Sequence, residues 1–148
     1  MSIRAYKQSD LYSLHDIYNQ SKLDELKFED QVFTLLPLEK DQERFNKLME
    51  SNIYVYQEHD EVIAFAATYQ NEIRALFVLS HHRGKGIGKR LLEYLLANIQ
   101  GQACLYVAST NHSAKSLYEQ YGFSVTSSFD TTYNGVVVTA QKMSQTFI

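Results

Sequence analysis

Cysteine is almost missing from this 148-residue chain, Cys104 being the only one. No intrachain disulfide can form, a cysteine-based metal cluster is excluded, and a reducing cytoplasm is the expected compartment. Long apolar runs are missing as well. No stretch approaches the roughly 20 residues of a membrane span, and the opening Met1-Ser2-Ile3-Arg4-Ala5-Tyr6-Lys7 lacks an apolar signal core. The expectation is a protein that neither enters a membrane nor leaves the cell. An excess of positive charge is also lacking, with 14 basic residues against 17 acidic ones and a formal net charge of -3. That argues against general nucleic-acid binding, which needs a basic surface to neutralise phosphates. No linker, repeat or low-complexity tract interrupts the chain, so residues 1–148 read as one domain, long enough to bury its own core.

What is present is a mixed α/β pattern. A short strand (Ile3 to Tyr6) precedes a helix opened by Ser9 or Asp10, with Leu11, Leu14, Ile17 and Tyr18 on one side. The pattern breaks up from Ser21 to Pro37, and a second helix is expected from about Leu38 to Met49. Strands follow at Ile53 to Glu58, Val62 to Tyr69 and Glu72 to Val78, the first two forming a hairpin. From Gly86 to Ile99, Ile87, Leu91, Leu92, Leu95 and Leu96 make an apolar stripe opposite Lys89, Arg90 and Glu93. The apolar run Cys104 to Ala108 suits a buried parallel strand reached by a right-handed crossover. A helix from Ser113 to Tyr121 ends at Gly122, and a hairpin of Ser124 to Phe129 and Val136 to Lys142 turns at Asn134-Gly135. The fold class expected is a mixed sheet, antiparallel early and parallel in the middle, with helices around it.

The chemistry concentrates at Arg83-Gly84-Lys85-Gly86-Ile87-Gly88-Lys89, between a strand and a helix N-terminus. Glycines let backbone approach an anion, the first helical amides point at it, and the helix dipole adds favourable charge. Arg83, Lys85, Lys89 and Arg90 gather positive charge there in an otherwise acidic chain. A nucleotide P-loop fails twice on spacing, with Arg83 where its first glycine belongs and Arg90 where its hydroxyl belongs. A dinucleotide fingerprint fails once, at Lys89. The pattern that fits is Arg/Gln-x-x-Gly-x-Gly/Ala, met by Arg83, Gly86 and Gly88. The bland alternative is that these glycines merely shape a tight turn.

Downstream stand Leu105-Tyr106-Val107, Asn111, Tyr118 and Tyr121-Gly122-Phe123, in that order. With the glycine turn, this set resembles the GNAT superfamily of acetyltransferases from about Glu72 to Phe123; before Ile53 only the order of elements corresponds. The resemblance implies a GNAT-like fold and transfer of an acetyl group from acetyl-CoA to a primary amine. It implies that the turn, Arg83 to Lys89 with Ile87 inside it, holds the pyrophosphate of coenzyme A. A backbone amide near Phe77 or Val78 would stabilise the oxyanion, Asn111 would bond the pantetheine or cap its helix, and Tyr118 would serve the departing thiolate. Glu72 lies eleven residues before Arg83, the offset of the catalytic glutamate in histone-acetylating members, with a solvated strand-end acid as the ordinary alternative. Acceptors in the family range from small molecules to peptide and protein amines, and dimers are common in it.

The chemistry of amine acylation supports looking for these parts. An alkylamine, pKa near ~10.4, must lose a proton before it attacks, and a thiolate must be able to leave. Full proton transfer from a phenol to a thiolate is uphill by roughly 2 kcal/mol in water, so hydrogen bonding by Tyr118 suffices. The segment Asp24 to Pro37 and the turn near Tyr133-Asn134 are expected to shape the acceptor site, with Glu25, Glu29 and Asp30 favouring a cationic acceptor. His81 and His82 read as exposed loop residues and not metal ligands, and Cys104 as a packed side chain. A different class of function is a non-catalytic acyl-CoA-binding regulatory module that kept the loop and lost turnover.

Overall fold

A computed structural model describes residues 2–146. Met1, Phe147 and Ile148 lie outside the described residues. One seven-stranded sheet runs through the fold in the order β1-β2-β3-β4-β5-β7-β6. Its strands are β1 (Ser2–Ala5), β2 (Asn52–Glu58), β3 (Glu61–Tyr69), β4 (Glu72–Val78), β5 (Cys104–Ala108), β6 (Phe123–Tyr133) and β7 (Val136–Gln145). All neighbours pair antiparallel except β4 and β5. Helices α1 (Leu11–Ser21) and α2 (Gln42–Met49) cover one face, and α3 (Ile87–Asn98) and α4 (His112–Glu119) the other.

Each face buries a separate apolar cluster. Leu91, Leu92 and Leu95 of α3 meet Ile63, Leu105 and Met143, all nearly inaccessible, while Leu14 and Ile17 of α1 meet Val55 and Phe65. Complete burial of each such side chain is worth about 1.5–3 kcal/mol. The two-residue turn between β2 and β3 has His59 and Asp60 both at positive φ, 51° and 63°. That twist matches the hairpin it closes. In β4, Ala75 pairs with Ala67 and Ile73 with Thr68, so Arg74 is the extra residue of a bulge.

Three expectations change. The helix predicted from Leu38 to Met49 is broken at Asp41, whose carboxylate accepts from the Arg44 amide and starts α2, leaving Leu38–Lys40 as a separate 3-10 turn. β6 is longer than the predicted Ser124 to Phe129 because its polar second half is held by backbone pairing to β7, not by burial. β5 is buried on one face only: Leu105 and Val107 are buried while Tyr106 is half exposed.

Asp10 does more than open α1. Arg4 grips both its oxygens at 2.8 and 2.9 Å, and the Lys7 amide donates to it at 2.9 Å. The Arg4 hydrogen bonds foremost hold this buried carboxyl below its usual range. A depressed folded pKa means stability that is present above the unfolded value, about 3.9, and is lost as pH falls through the folded one. Asp10→Asn is expected to cost about 2 kcal/mol at neutral pH, since hydrogen bonds to a charge are worth that much. The difference between native and variant melting temperatures should shrink below about pH 4; a pH-independent difference would refute the ion pair's role.

Candidate active site

β4 and β5 pair only at Glu72 with Cys104 and Ile73 with Leu105, although β4 runs on to Val78 and β5 to Ala108. Beyond Ile73 the strands part and leave facing backbone edges without strand partners among the described residues. Leu79 donates its N–H back to Ile63 of β3. Amides alternate along a strand, so those of Val78 and Leu76 face the gap and that of Phe77 faces β3. Of the two expected donors, Val78 therefore has the geometry; Phe77 is a core residue whose ring meets Tyr18 and Phe65.

The gap widens into a cleft of about 520 Å³ bounded by the end of β4, the glycine turn and α4. In the turn, Gly84 and Gly86 have φ of +79° and +81°, a conformation that strains any residue with a Cβ. Gly86 is the N-cap residue of α3, so the free amides of the first helical turn open beside the cleft. Gly88 is different. Its φ is not positive, and an added Cβ would meet nothing nearer than Val78 Cγ2 and Leu117 Cδ2, both at 4.0 Å. Glycine inside a helix costs about 1 kcal/mol relative to alanine, and among the described residues no close contact of a Cβ demands it. Gly88 lines the cleft, so the absent side chain leaves open space there.

Around this turn, the Arg83 Nε donates to the Val78 carbonyl at 2.9 Å and its guanidinium pairs with Asp24, which also borders the cleft, at 2.9 Å. Ile87 and Lys89 border the cleft, whereas Lys85 does not, its Nζ lying 3.4 Å from His82 Nδ1. Asn111 caps α4 through the Ala114 amide and borders the cleft too, so its two expected roles are compatible. Tyr118 of α4 is buried, its ring 5.7 Å from that of Phe123, and it borders both this cleft and an adjoining space of about 210 Å³. Burial pushes its phenol well above the ordinary value, with the Glu25 charge adding to the rise. Burial also raises the Cys104 thiol, which keeps it protonated and a poor nucleophile.

A second cavity of about 550 Å³ lies on the α1 and α2 side, lined by Tyr18, Arg44, Tyr106 and Phe129 among others. Glu72 borders this cavity and not the cleft. Its Oε1 is 3.4 Å from Arg74 Nε, and Arg74 also holds Glu50 at 2.6 Å. The carboxylate that joins the spaces is Glu25, in a 3-10 turn (Lys22–Leu26) after α1; it borders both cavities and the cleft and pairs with Lys22 at 2.9 Å. Tyr18, Lys22 and Glu25 follow each other at helical spacing, the signal that could have singled it out. Its companions are elsewhere: Glu29 accepts from the Thr110 hydroxyl and Asp30 is exposed. The two segments expected to shape an acceptor site touch each other, Tyr133 OH accepting from the Leu36 amide at 2.9 Å and Asn134 Nδ2 donating to the Thr34 carbonyl at 3.0 Å.

Among the described residues, no helix is long and apolar enough to cross a membrane. A family description of the acetyltransferase (GNAT) domain matches residues 49–125. The uncharacterized N-acetyltransferase YhfO of Bacillus subtilis (strain 168) is 31% identical over 137 residues, spanning 83% of this chain and 89% of its own. Among solved structures, the ribosomal-protein-alanine N-acetyltransferase of Brucella melitensis superposes with a TM-score of 0.74 at 20% identity, covering 99% of this chain and 100% of that one. YncA of Salmonella typhimurium, solved with its cofactor acetyl-CoA, gives 0.72 at 20% identity over 97% of this chain and 92% of its own. At those identities the superpositions speak for the fold, and the sequence match carries the family. Domain match, relative and fold agree with the split strands and the glycine turn: the chain belongs to the GNAT family of N-acetyltransferases.

Proposed function

We propose that this chain transfers an acetyl group from acetyl-CoA to a primary amine by direct attack of the amine on the thioester. One observation carries the reading: a strand edge without a partner, a glycine turn with space left at Gly88, and a buried phenol converge on one cleft. The residues fit coenzyme A, since α3 amides and the cations Arg83 and Lys89 suit a pyrophosphate and the open edge of β4 suits an amide-bearing arm. Acetyl-CoA supplies the activated acyl group. The Val78 amide would donate to the carbonyl oxygen as it gains charge. As the C–N bond forms and the C–S bond breaks, the amine's proton goes to a carboxylate and the Tyr118 hydroxyl hydrogen-bonds the departing sulfur.

Two carboxylates compete for that proton. Glu72 has the family offset but is engaged with Arg74 at the far end of β4, about five residues or 17 Å of strand from Phe77. Glu25 borders the cleft and the acceptor cavity together. Base catalysis typically contributes about 10²- to 10⁴-fold, and that loss in kcat is expected for Glu25→Gln. A smaller loss is expected for Glu72→Gln; the reverse ranking would return the role to Glu72.

The reading as a whole is tested by thermal melts with acetyl-CoA, ATP and NAD at equal concentration. Acetyl-CoA at a hundredfold excess over Kd should stabilise by about 2.7 kcal/mol, roughly 5 to 10 °C, and the others should not. Protection by ATP or NAD in its place would refute coenzyme A binding. Protection by acetyl-CoA without thiol release across an amine panel would favour the regulatory module.

A further inference from the structure

The second cavity has a charge pattern that the loop acids did not suggest. Four basic side chains line it, Lys22, Arg44, Lys47 and Arg74, against two carboxylates, Glu25 and Glu72. Lys22 is matched by Glu25 at 2.9 Å, Arg74 by Glu72 and Glu50, and Arg44 by Asp41, which leaves Lys47 as the surplus charge among the described residues and Arg44 as a paired cation with donors to spare. Arg44 lies 5.3 Å from the centroid of the Tyr133 ring, and its contact with Asp41 at 3.3 Å engages Nε alone. A guanidinium has four further N–H groups to offer.

A second, independent feature points the same way. Among the described residues the Tyr18 hydroxyl, buried on a residue only 5% exposed that lines this cavity close to Arg44, has no hydrogen-bond partner. An orphaned buried hydroxyl costs free energy unless a ligand or water completes it. Burial also keeps that phenol neutral, hence a donor. Glu25 lines the same space and also borders the Tyr118 cleft. The cavity therefore brings donors and positive charge together with a carboxylate that also borders the cleft where acetyl transfer would take place.

We propose that the acceptor is a small amine bearing its own oxyanion, a carboxylate or phospho group, with the anion held by Arg44 and the Tyr18 hydroxyl and the amine turned toward Glu25. The inference rests on the acetyl-transfer reading and names its substrate class, replacing a purely cationic acceptor with a zwitterionic one.

The test compares α-amino acids and aminoalkylphosphonates with the corresponding carboxamides and simple alkylamines as acceptors, following thiol release from acetyl-CoA. At least one anionic amine should exceed its neutral counterpart in kcat/KM by about 10- to 100-fold, the worth of a charge-assisted hydrogen bond. Arg44→Gln should erase that preference through KM rather than kcat, and Tyr18→Phe should weaken it several-fold, as the loss of one neutral hydrogen bond does. Without acetyl-CoA, the preferred acid should raise the melting temperature of the native chain and not that of Arg44→Gln. The carboxylate and phosphonate series identify which oxyanion is read. Equal or better turnover of carboxamides and alkylamines would overturn the proposal and leave acetyl transfer standing. Acetyl-CoA protection with no thiol release from any acceptor would overturn both.

Discussion

Gly88→Val should leave the protein folded and abolish its thermal protection by acetyl-CoA. A Cβ at Gly88 would lie at ordinary contact distance from Val78 and Leu117, and the residue lines the cleft, so added bulk is expected to fill the cleft and not to disrupt the core. Valine is also a better helix former than glycine by a few tenths of a kcal/mol, so the melting temperature without ligand should stay near native or rise slightly. Gly86→Val provides the contrast. At φ +81° a β-branched residue is strained by about 1–3 kcal/mol, so that variant should melt lower even without ligand. One glycine is kept for space and the other for conformation, and the pair of melts separates the two. Undiminished protection of Gly88→Val by acetyl-CoA would mean that the turn does not cradle the coenzyme.

Tyr118→Phe should lower kcat by about 10- to 100-fold, the range for losing a hydrogen bond that forms only as the sulfur gains charge, while acetyl-CoA affinity changes less than about twofold, since the ground-state thioester accepts only weakly. Its pH signature is specific. Burial raises the phenol well above the ordinary value, so the native side chain is a neutral donor throughout the accessible range, and its loss should reduce the rate by the same factor from pH 6 to about 9. The elevation also widens the gap to a thiolate, at about 1.4 kcal/mol per pKa unit, which makes hydrogen bonding and not full proton transfer its contribution. A native-to-variant rate ratio that changes across that pH range would show that the phenol titrates and has been misassigned; an unchanged kcat would remove it from the site.

The elements most legible in the sequence were those whose pattern is local. The stripe of Ile87, Leu91, Leu92 and Leu95 determines α3, and the glycines before it announce a turn that must approach an anion or bend sharply, or both. Asn134-Gly135 marks the last hairpin for the same local reason, with both residues at positive φ. β6 was half legible because residues from Thr126 to Thr132 are exposed and carry no alternation; pairing with β7 alone holds them extended. The break at Asp41 is hard to read because Leu38 and Phe45 stand two helical turns apart with only polar residues between them, and only the capped Arg44 amide reveals where the helix begins. Glu25 was grouped with Glu29 and Asp30 because three acids in one polar segment look alike until the chain turns one toward the cleft and ties another to Thr110.

By itself the sequence determined the class of fold, the glycine turn and the tyrosine set that marks the family, because each depends on spacing within a few dozen residues. Only the tertiary structure decided that β4 and β5 separate after two paired residues, that Val78 and not Phe77 turns its amide to the gap, and that Tyr18, Glu25 and Arg44 share one cavity. Those facts depend on strand twist, amide alternation and the meeting of segments far apart in the chain, such as Leu36 with Tyr133. Such quantities come from packing the whole chain, and no window of the sequence contains them.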